Sequence, residues 1–258
     1  MEQLAATFKP VGFVESGPDA TDFVDFGSKL GGSFHTAYRM GAKNGLGIDI
    51  RPKIVEQAQA SGMNVILGDA TKLDLPDKCV RFSILSHFLE HLPSLTEVRQ
   101  SIKSAIRIST EAVYMAGPVF DDEQYLKSLG FKTYWSDWKG HPCHLTCSQV
   151  VEILKSLGVT LGQFKMCLHV PYRDSDSPFI HPLSSPVDQH DYDPSIHPHK
   201  ASIEFNRTCY MEWRCIIYCD SKRREYPIMN ELQGAWISYP TSPGPDKKGL
   251  WRYIKSRF

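Results

Sequence analysis

The sequence carries no surplus of either charge, no apolar run of membrane-spanning length and no CxxC pair, and each absence narrows what the chain can do. Lys and Arg together number 29, and Asp and Glu number 29. The totals therefore imply no basic face, and nucleic-acid binding is not expected. The opening residues, MEQLAATFKPVGFVESGPDA, lack a basic region followed by an apolar stretch, so no secretory leader is read there. No later segment has the roughly 20 consecutive apolar residues that a membrane helix needs. The seven cysteines are an odd number and widely scattered, which fits reduced thiols better than a disulfide framework. These absences predict a soluble, cytoplasmic protein without a membrane span.

What is present is a chain of 258 residues, 41% hydrophobic, able to bury a sizeable core. No internal repeat is visible. The first two-thirds alternate short apolar runs with amphipathic segments, the rhythm of βαβ units around a parallel sheet. Strands are expected at Phe23 to Phe26, Gly45 to Ile50, Val65 to Leu67, Phe82 to Ser86 and Ala112 to Ala116. Helices are expected at Ser33 to Met40, Pro52 to Ser61, Thr96 to Ile108 and Ser148 to Leu157. Pro52 suits a first helical turn and Gly62 a stop, while Thr146 with Gln149 reads as a capping box.

Beyond Pro171 the pattern changes. Prolines, aspartates and histidines crowd residues 171–200 without an apolar period, which predicts a long loop or insertion. The alternation of EWRCIIYCD, Glu212 to Asp220, reads as a strand, with Cys215 and Cys219 as buried thiols. After Pro240 a Pro/Gly linker leads to the basic aromatic segment GLWRYIKSRF, expected to pack on the domain. The expected organisation is an N-terminal extension over 1–20, one domain over 21–220 and a C-terminal extension over 221–258.

Four segments carry chemistry. DFVDFGSKLGGSF places a glycine turn after a strand, where freed N–H groups and close backbone approach suit a small ligand; a simple turn is the alternative. GLGIDIRP puts Asp49 at the next strand tip, placed to accept hydrogen bonds from both hydroxyls of a ribose, or to cap the helix that starts at Pro52. VILGDATKLDLPD brings Asp69 and Ala70 to a third tip, to hold an adenine edge or to form an Asx turn. FSILSHFLEHLPS ends a fourth strand at Ser86 and His87, followed by Glu90 and His91.

With these four segments the chain resembles the class I S-adenosylmethionine-dependent methyltransferases, specifically the small-molecule group with a Glu-His-Leu signature after strand four. The resemblance is good from Asp22 to Ala116 and looser to Asp220. It implies a Rossmann-like, doubly wound α/β fold with a mostly parallel sheet and an antiparallel final strand. It implies S-adenosylmethionine as cofactor, with Asp25, Gly27 and Gly31 against its methionine portion. Asp49 then meets the ribose with Ile50 beside the adenine, Asp69 and Ala70 meet the adenine, and Ser86 faces the sulfonium with His87. The departure is Lys29, where the family has its middle glycine. A lysine there requires an ordinary backbone region and a side chain in solvent, or else marks loss of cofactor binding.

The implied reaction is methyl transfer to an oxygen or nitrogen of a small-molecule or carbohydrate-like acceptor. His87, Glu90 and His91 lie near the expected methyl position, and a histidine ordinarily titrates in the range of a useful base. His141 and His144 precede a helix expected to face the acceptor. Together with Cys143 and Cys147 they lack the spacing of a common zinc module, and no metal is predicted. The insertion, with His181, His190, His197 and His199 among aspartates, is either a solvated loop, a lid over the acceptor or a divalent-metal cluster. Tyr134, Trp135 and Trp138 are expected as core or as an aromatic wall. Two other classes remain: a nicotinamide-dependent oxidoreductase, against which the missing GxGxxG spacing counts, and a non-catalytic scaffold on the same fold.

Overall fold

Strand β1 (Phe23–Phe26) and strand β2 (Gly45–Asp49) are short apolar runs buried on both faces, the composition expected of central parallel strands covered by helices. The computed structural model describes residues 7–220, with Tyr226 and a two-residue strand at Ala235–Trp236. In chain order the next elements are α1 (Phe34–Arg39), which precedes β2, then α2 (Pro52–Ala60), β3 (Val65–Leu67), β4 (Val80–Ser86), α3 (Leu95–Ile108) and β5 (Ser109–Pro118). There follow α4 (Glu123–Ser128), β6 (Phe131–Thr133), α5 (Tyr134–Asp137), α6 (Cys147–Ser156), β7 (Phe164–Asp174), β8 (Ile180–Pro182), β9 (Glu204–Tyr218) and β10 (Ala235–Trp236).

Eight of these strands form one sheet in the order β10-β7-β9-β5-β4-β1-β2-β3. β1 pairs in parallel with both β2 and β4, β2 with β3, and β4 with β5. β9 runs antiparallel between β5 and β7. This is the Rossmann-like, mostly parallel sheet expected, with its antiparallel strand. Because side chains alternate along a strand, Val24 and Phe26 enter one core with Val98, Ile102 and Ala105 of α3. Phe23 enters the opposite core with Phe34 and Ala37 of α1.

Helix boundaries follow local chemistry. α3 buries Val98, Ser101, Ile102, Ala105 and Ile108, a three-and-four spacing, and the Ser94 side chain accepts the Thr96 N–H at its start. α6 begins at the expected capping box, with Thr146 and Gln149 bonded reciprocally.

Residues 171–200 are largely the long loop or insertion expected, with no helix or strand over 183–200, but two parts of the stretch are strand. β7 runs through Asp174, and β8 pairs antiparallel with β6, which is about fifty residues earlier in the chain. The strand expected at Glu212 to Asp220 starts earlier, at Glu204. A third core, including Phe120, Trp135, Tyr172, Phe179 and Phe205, joins these pieces into a subdomain beside the sheet's C-terminal edge. No helix among the described residues is long and apolar enough to cross a membrane. The segment GLWRYIKSRF lies outside the described residues.

Candidate functional site

The carboxyl ends of β1 to β4 converge on one edge of the sheet, where ligands bind in open α/β folds. After Phe26 the chain turns through glycines into α1. Gly27 and Gly31 have φ of 68° and 79°, left-handed values that glycine adopts freely. A Cβ on Gly27 would lie 2.5 Å from the Phe88 ring. Beneath the turn, Asp25 is fully buried. One carboxylate oxygen accepts the Ser33 hydroxyl and the other has no hydrogen-bond partner. Burial pushes Asp25 up to about 7, against the lowering effect of Ser33 and with a smaller contribution from the Asp49 charge.

Lys29 departs from the expected ordinary backbone: its φ is 50°, in the left-handed region. Its N–H donates to Asp49 Oδ2 at 3.0 Å, which holds the turn, and its exposed side chain lines the cavity above. A left-handed lysine is strained by roughly 1–2 kcal/mol, whereas glycine there sacrifices only about 0.5–1 kcal/mol of chain entropy. Lys29→Gly is therefore expected to raise stability by about 0.5–1 kcal/mol in denaturant unfolding. A less stable variant would show that the lysine side chain itself supports the fold.

Asp49, at the tip of β2, does not cap α2. Its carboxylate takes the Lys29 N–H, the Arg51 N–H and both arms of the Arg51 guanidinium, at 2.8–3.0 Å. Burial acts to raise its pKa, yet the Arg51 fork and these N–H groups hold it below the usual carboxylate range. Ile50 beside it is 51% exposed, an apolar surface open to a ligand. At the third tip the Asx turn is real: Asp69 Oδ1 accepts the Thr71 N–H at 3.0 Å and its hydroxyl at 2.6 Å, with Lys72 at 3.2 Å.

Gly27, Lys29, Asp49, Ile50, Asp69 and Ala70 line one cavity of about 560 Å³, closed on the far side by Phe88, Pro93 and Trp138. A second cavity, of about 180 Å³, adjoins it. Lys29, His87, His91 and Trp138 line both. Glu90, His141 and Glu212 complete its polar side, and Tyr134 with Trp135 form the aromatic wall. His190 of the insertion also lines this cavity, so part of the insertion does cover it. Two other insertion histidines are occupied: His181 Nε2 sits 3.0 Å from the His190 carbonyl, and His197 lies 3.0 Å from Asp188.

His87 has φ of 50° and stands between two carboxylates, Glu90 at 3.4 Å and Glu212 at 3.8 Å. Burial pulls the imidazole down, but Glu212 and Glu90 outweigh it and raise it to about 9. At neutral pH His87 is a hydrogen-bond donor, and the proton acceptors beside it are the carboxylates. Burial holds His141 below its ordinary value, opposed by Glu90.

Of the residues expected from sequence, Asp25 and Gly31 lie under the turn, and Ser86 is half-buried at the β4 tip without lining either cavity. His144 turns away, stacked on Phe120 at 4.5 Å with Nδ1 3.1 Å from Glu123. Sequence reasoning missed Arg51, Phe88 and Glu212. Arg51 was legible as a cation two residues beyond an acid; Glu212 carries no local signal, because only the pairing of β9 with β5 brings it to His87.

Residues 24–111 match a family model described as a methyltransferase domain. No curated protein matches the sequence. Among solved structures the fold is similar to a SAM-dependent methyltransferase from Archaeoglobus fulgidus, 16% identical, covering 77% of this chain and 86% of that one with a TM-score of 0.52. It is also similar to a putative methyltransferase from Bacillus halodurans, 13% identical, covering 79% and 93% with a TM-score of 0.51. At these identities the likeness is one of fold.

Proposed function

We propose, from the premise that the chain carries a class I S-adenosylmethionine-dependent methyltransferase domain, that it methylates an oxygen or nitrogen of a small-molecule or carbohydrate-like acceptor. The observation that carries this reading is the junction of two cavities at Lys29, His87, His91 and Trp138: a large one over the strand tips and a small, polar, aromatic-walled one beyond it.

The large cavity fits the cofactor. The bare backbone of Gly27, where a Cβ would strike the Phe88 ring, lines the cavity, and the orphaned oxygen of Asp25 lies buried beneath the same turn; both suit the methionine portion. Asp49 suits the ribose hydroxyls, provided the Arg51 fork swings aside; the Arg51 side chain is half exposed, so that rotation breaks no core packing. Ile50 and Ala70 supply apolar surface for the adenine, with Asp69 at its edge. When bound, S-adenosylmethionine supplies an activated methyl group. The chain's own residues then position the acceptor and exclude water, which is much of what an in-line displacement requires.

In the small cavity His87 donates a hydrogen bond to the acceptor, while Glu212, beside His87 on the cavity wall, lies within reach of its proton. His91 and His141 bound the site, and Trp138 stands at its junction with the larger cavity. His144 stands outside this arrangement and holds the preceding loop.

Calorimetric titration of the full chain with S-adenosylmethionine, S-adenosylhomocysteine and NAD tests the assignment. Micromolar binding of the first two and none of NAD is the expected result. Binding of NAD alone would turn the reading to hydride transfer, and binding of none would turn it to a scaffold in which Lys29 and Arg51 have closed the site.

A further inference from the structure

The small cavity contains a group that hydrogen bonding does not account for. Glu90 is 2% exposed, and neither of its carboxylate oxygens has a hydrogen-bond partner. A buried carboxylate left in that state is costly unless it is paired or coordinates a metal. His87 Nδ1, 3.4 Å away, offers charge without a hydrogen bond.

Two imidazoles face the same carboxylate. One atom capable of ligation on each of Glu90, His91 and His141 lies within 4.8 Å of those on the other two. Ligands about 2.0–2.2 Å from a shared tetrahedral ion lie roughly 3.3–3.6 Å from one another, so binding draws the three side chains together by up to about 1.5 Å. The hydrogen bonds of the rings fix which nitrogen is free. His91 Nδ1 is 2.7 Å from the Gly140 carbonyl, and His141 Nδ1 is 3.1 Å from the Trp135 carbonyl. A carbonyl only accepts, so each Nδ1 carries a proton and each neutral ring presents the Nε2 lone pair. Backbone carbonyls orienting histidines in this way are the usual outer partners of metal ligands.

The support is also rigid. The Cys143 N–H donates to the Glu90 carbonyl at 3.2 Å, tying the turn after β4 to the loop before α6. Trp138 packs edge-on against both histidine rings, at 5.6 and 4.6 Å between centroids.

We propose that Glu90, His91 and His141 bind one divalent metal ion in the acceptor cavity. Two imidazoles and one carboxylate select a borderline ion such as Mn2+, Fe2+, Co2+ or Zn2+ over Mg2+ or Ca2+, which prefer oxygen ligands. Three protein ligands leave positions open toward the cavity, and the ligand class these suit is an acceptor hydroxyl or phenolate oxygen. The site stands independently of methyl transfer.

The test uses the full chain, stripped with EDTA, without S-adenosylmethionine, and titrated with CoCl2 while visible d–d absorption is followed. One saturable equivalent is expected, displaced by ZnCl2. Glu90→Gln and His141→Ala are each expected to weaken cobalt binding at least about tenfold, the effect that even indirect partners of a metal ligand produce. His144→Ala, three residues from His141 but turned onto Phe120, is expected to bind as the parent does. In the parent protein, cobalt must also shift the ring resonances of His91 and His141 and leave His35 of α1 unmoved, a readout that does not depend on any variant folding. Absence of saturable one-to-one binding, or unshifted His91 and His141 resonances, overturns the proposal. Because no cofactor is present, failure of the chain to bind S-adenosylmethionine leaves this result untouched.

Discussion

Asp25→Asn is expected to make the protein more stable at pH 8 by as much as about 4 kcal/mol, with the gain vanishing near pH 4. The carboxyl is fully buried and raised to about 7, from an ordinary 3.8. Each pKa unit corresponds to about 1.36 kcal/mol. The sign follows from proton counting. Between the two values the folded chain holds a proton that the unfolded chain has released, so stability falls as pH rises from about 4 to about 7 and then levels off. Asparagine keeps the shape and can still bond Ser33 without ever carrying the buried charge. Other carboxylates titrate equally in both proteins, so the difference between their stability-against-pH curves isolates Asp25. For a chain of this size each kcal/mol moves the melting temperature about 2–4 °C, so a shift on the order of 10 °C at pH 8 is expected. Equal melting of the two proteins at pH 8, or the same gain at pH 4.5, would show that the charge is solvated or paired in the folded protein.

A natural chain that retains a destabilising carboxylate in its first strand is explained by ligand binding, where stability is commonly given up for function. The same variant is therefore expected to bind S-adenosylmethionine more weakly than the parent while melting higher. Improved or unchanged affinity would remove Asp25 from the cofactor's surroundings.

The second large effect is at Asp49. Asp49→Ala is expected to weaken S-adenosylmethionine binding by about 1.5–3 kcal/mol, the range for hydrogen bonds to a charged group, or roughly 10- to 150-fold in Kd. The substitution also leaves the Lys29 N–H and the Arg51 guanidinium without the carboxylate that they share. Lys29 then holds a left-handed turn with no bond to keep it there, so stability falls as well. The two effects are separable, because residues in one network couple. Adding Lys29→Gly to Asp49→Ala should recover stability by removing the strained lysine, and should leave the affinity low. A folded Asp49→Ala protein that binds the cofactor with the parent's Kd would exclude the ribose role. Recovery of affinity together with stability would assign the loss to the collapsed turn.

The sheet's central half was legible in the sequence. β1 and β3 fall where the apolar runs placed them, and β2, β4 and β5 differ by a few residues at their ends. Asp49 and Asp69 reach strand tips because each follows an apolar run of strand length, and Asp25 stands inside such a run. The capping box at Thr146 was readable because its two bonds join residues three apart. What these features share is range: strand alternation, helical spacing and caps connect residues within a turn or two, and a single sequence displays them directly.

The smaller cavity was not legible, for the opposite reason. His91 bonds the carbonyl of Gly140, 49 residues further along the chain, which brings it beside His141. Glu212 reaches His87 only because β9 inserts antiparallel between β5 and β7. β8 pairs with β6 from within a stretch crowded with proline and histidine. Even Arg51, visible beside Asp49, showed nothing of the fork that it closes on that carboxylate. The sequence by itself determined the α/β frame and the row of acids along its edge, since local periodicity and chain stiffness decide those. Tertiary structure alone decided which charges meet in the smaller cavity, because burial and long-range strand pairing carry no period along the chain.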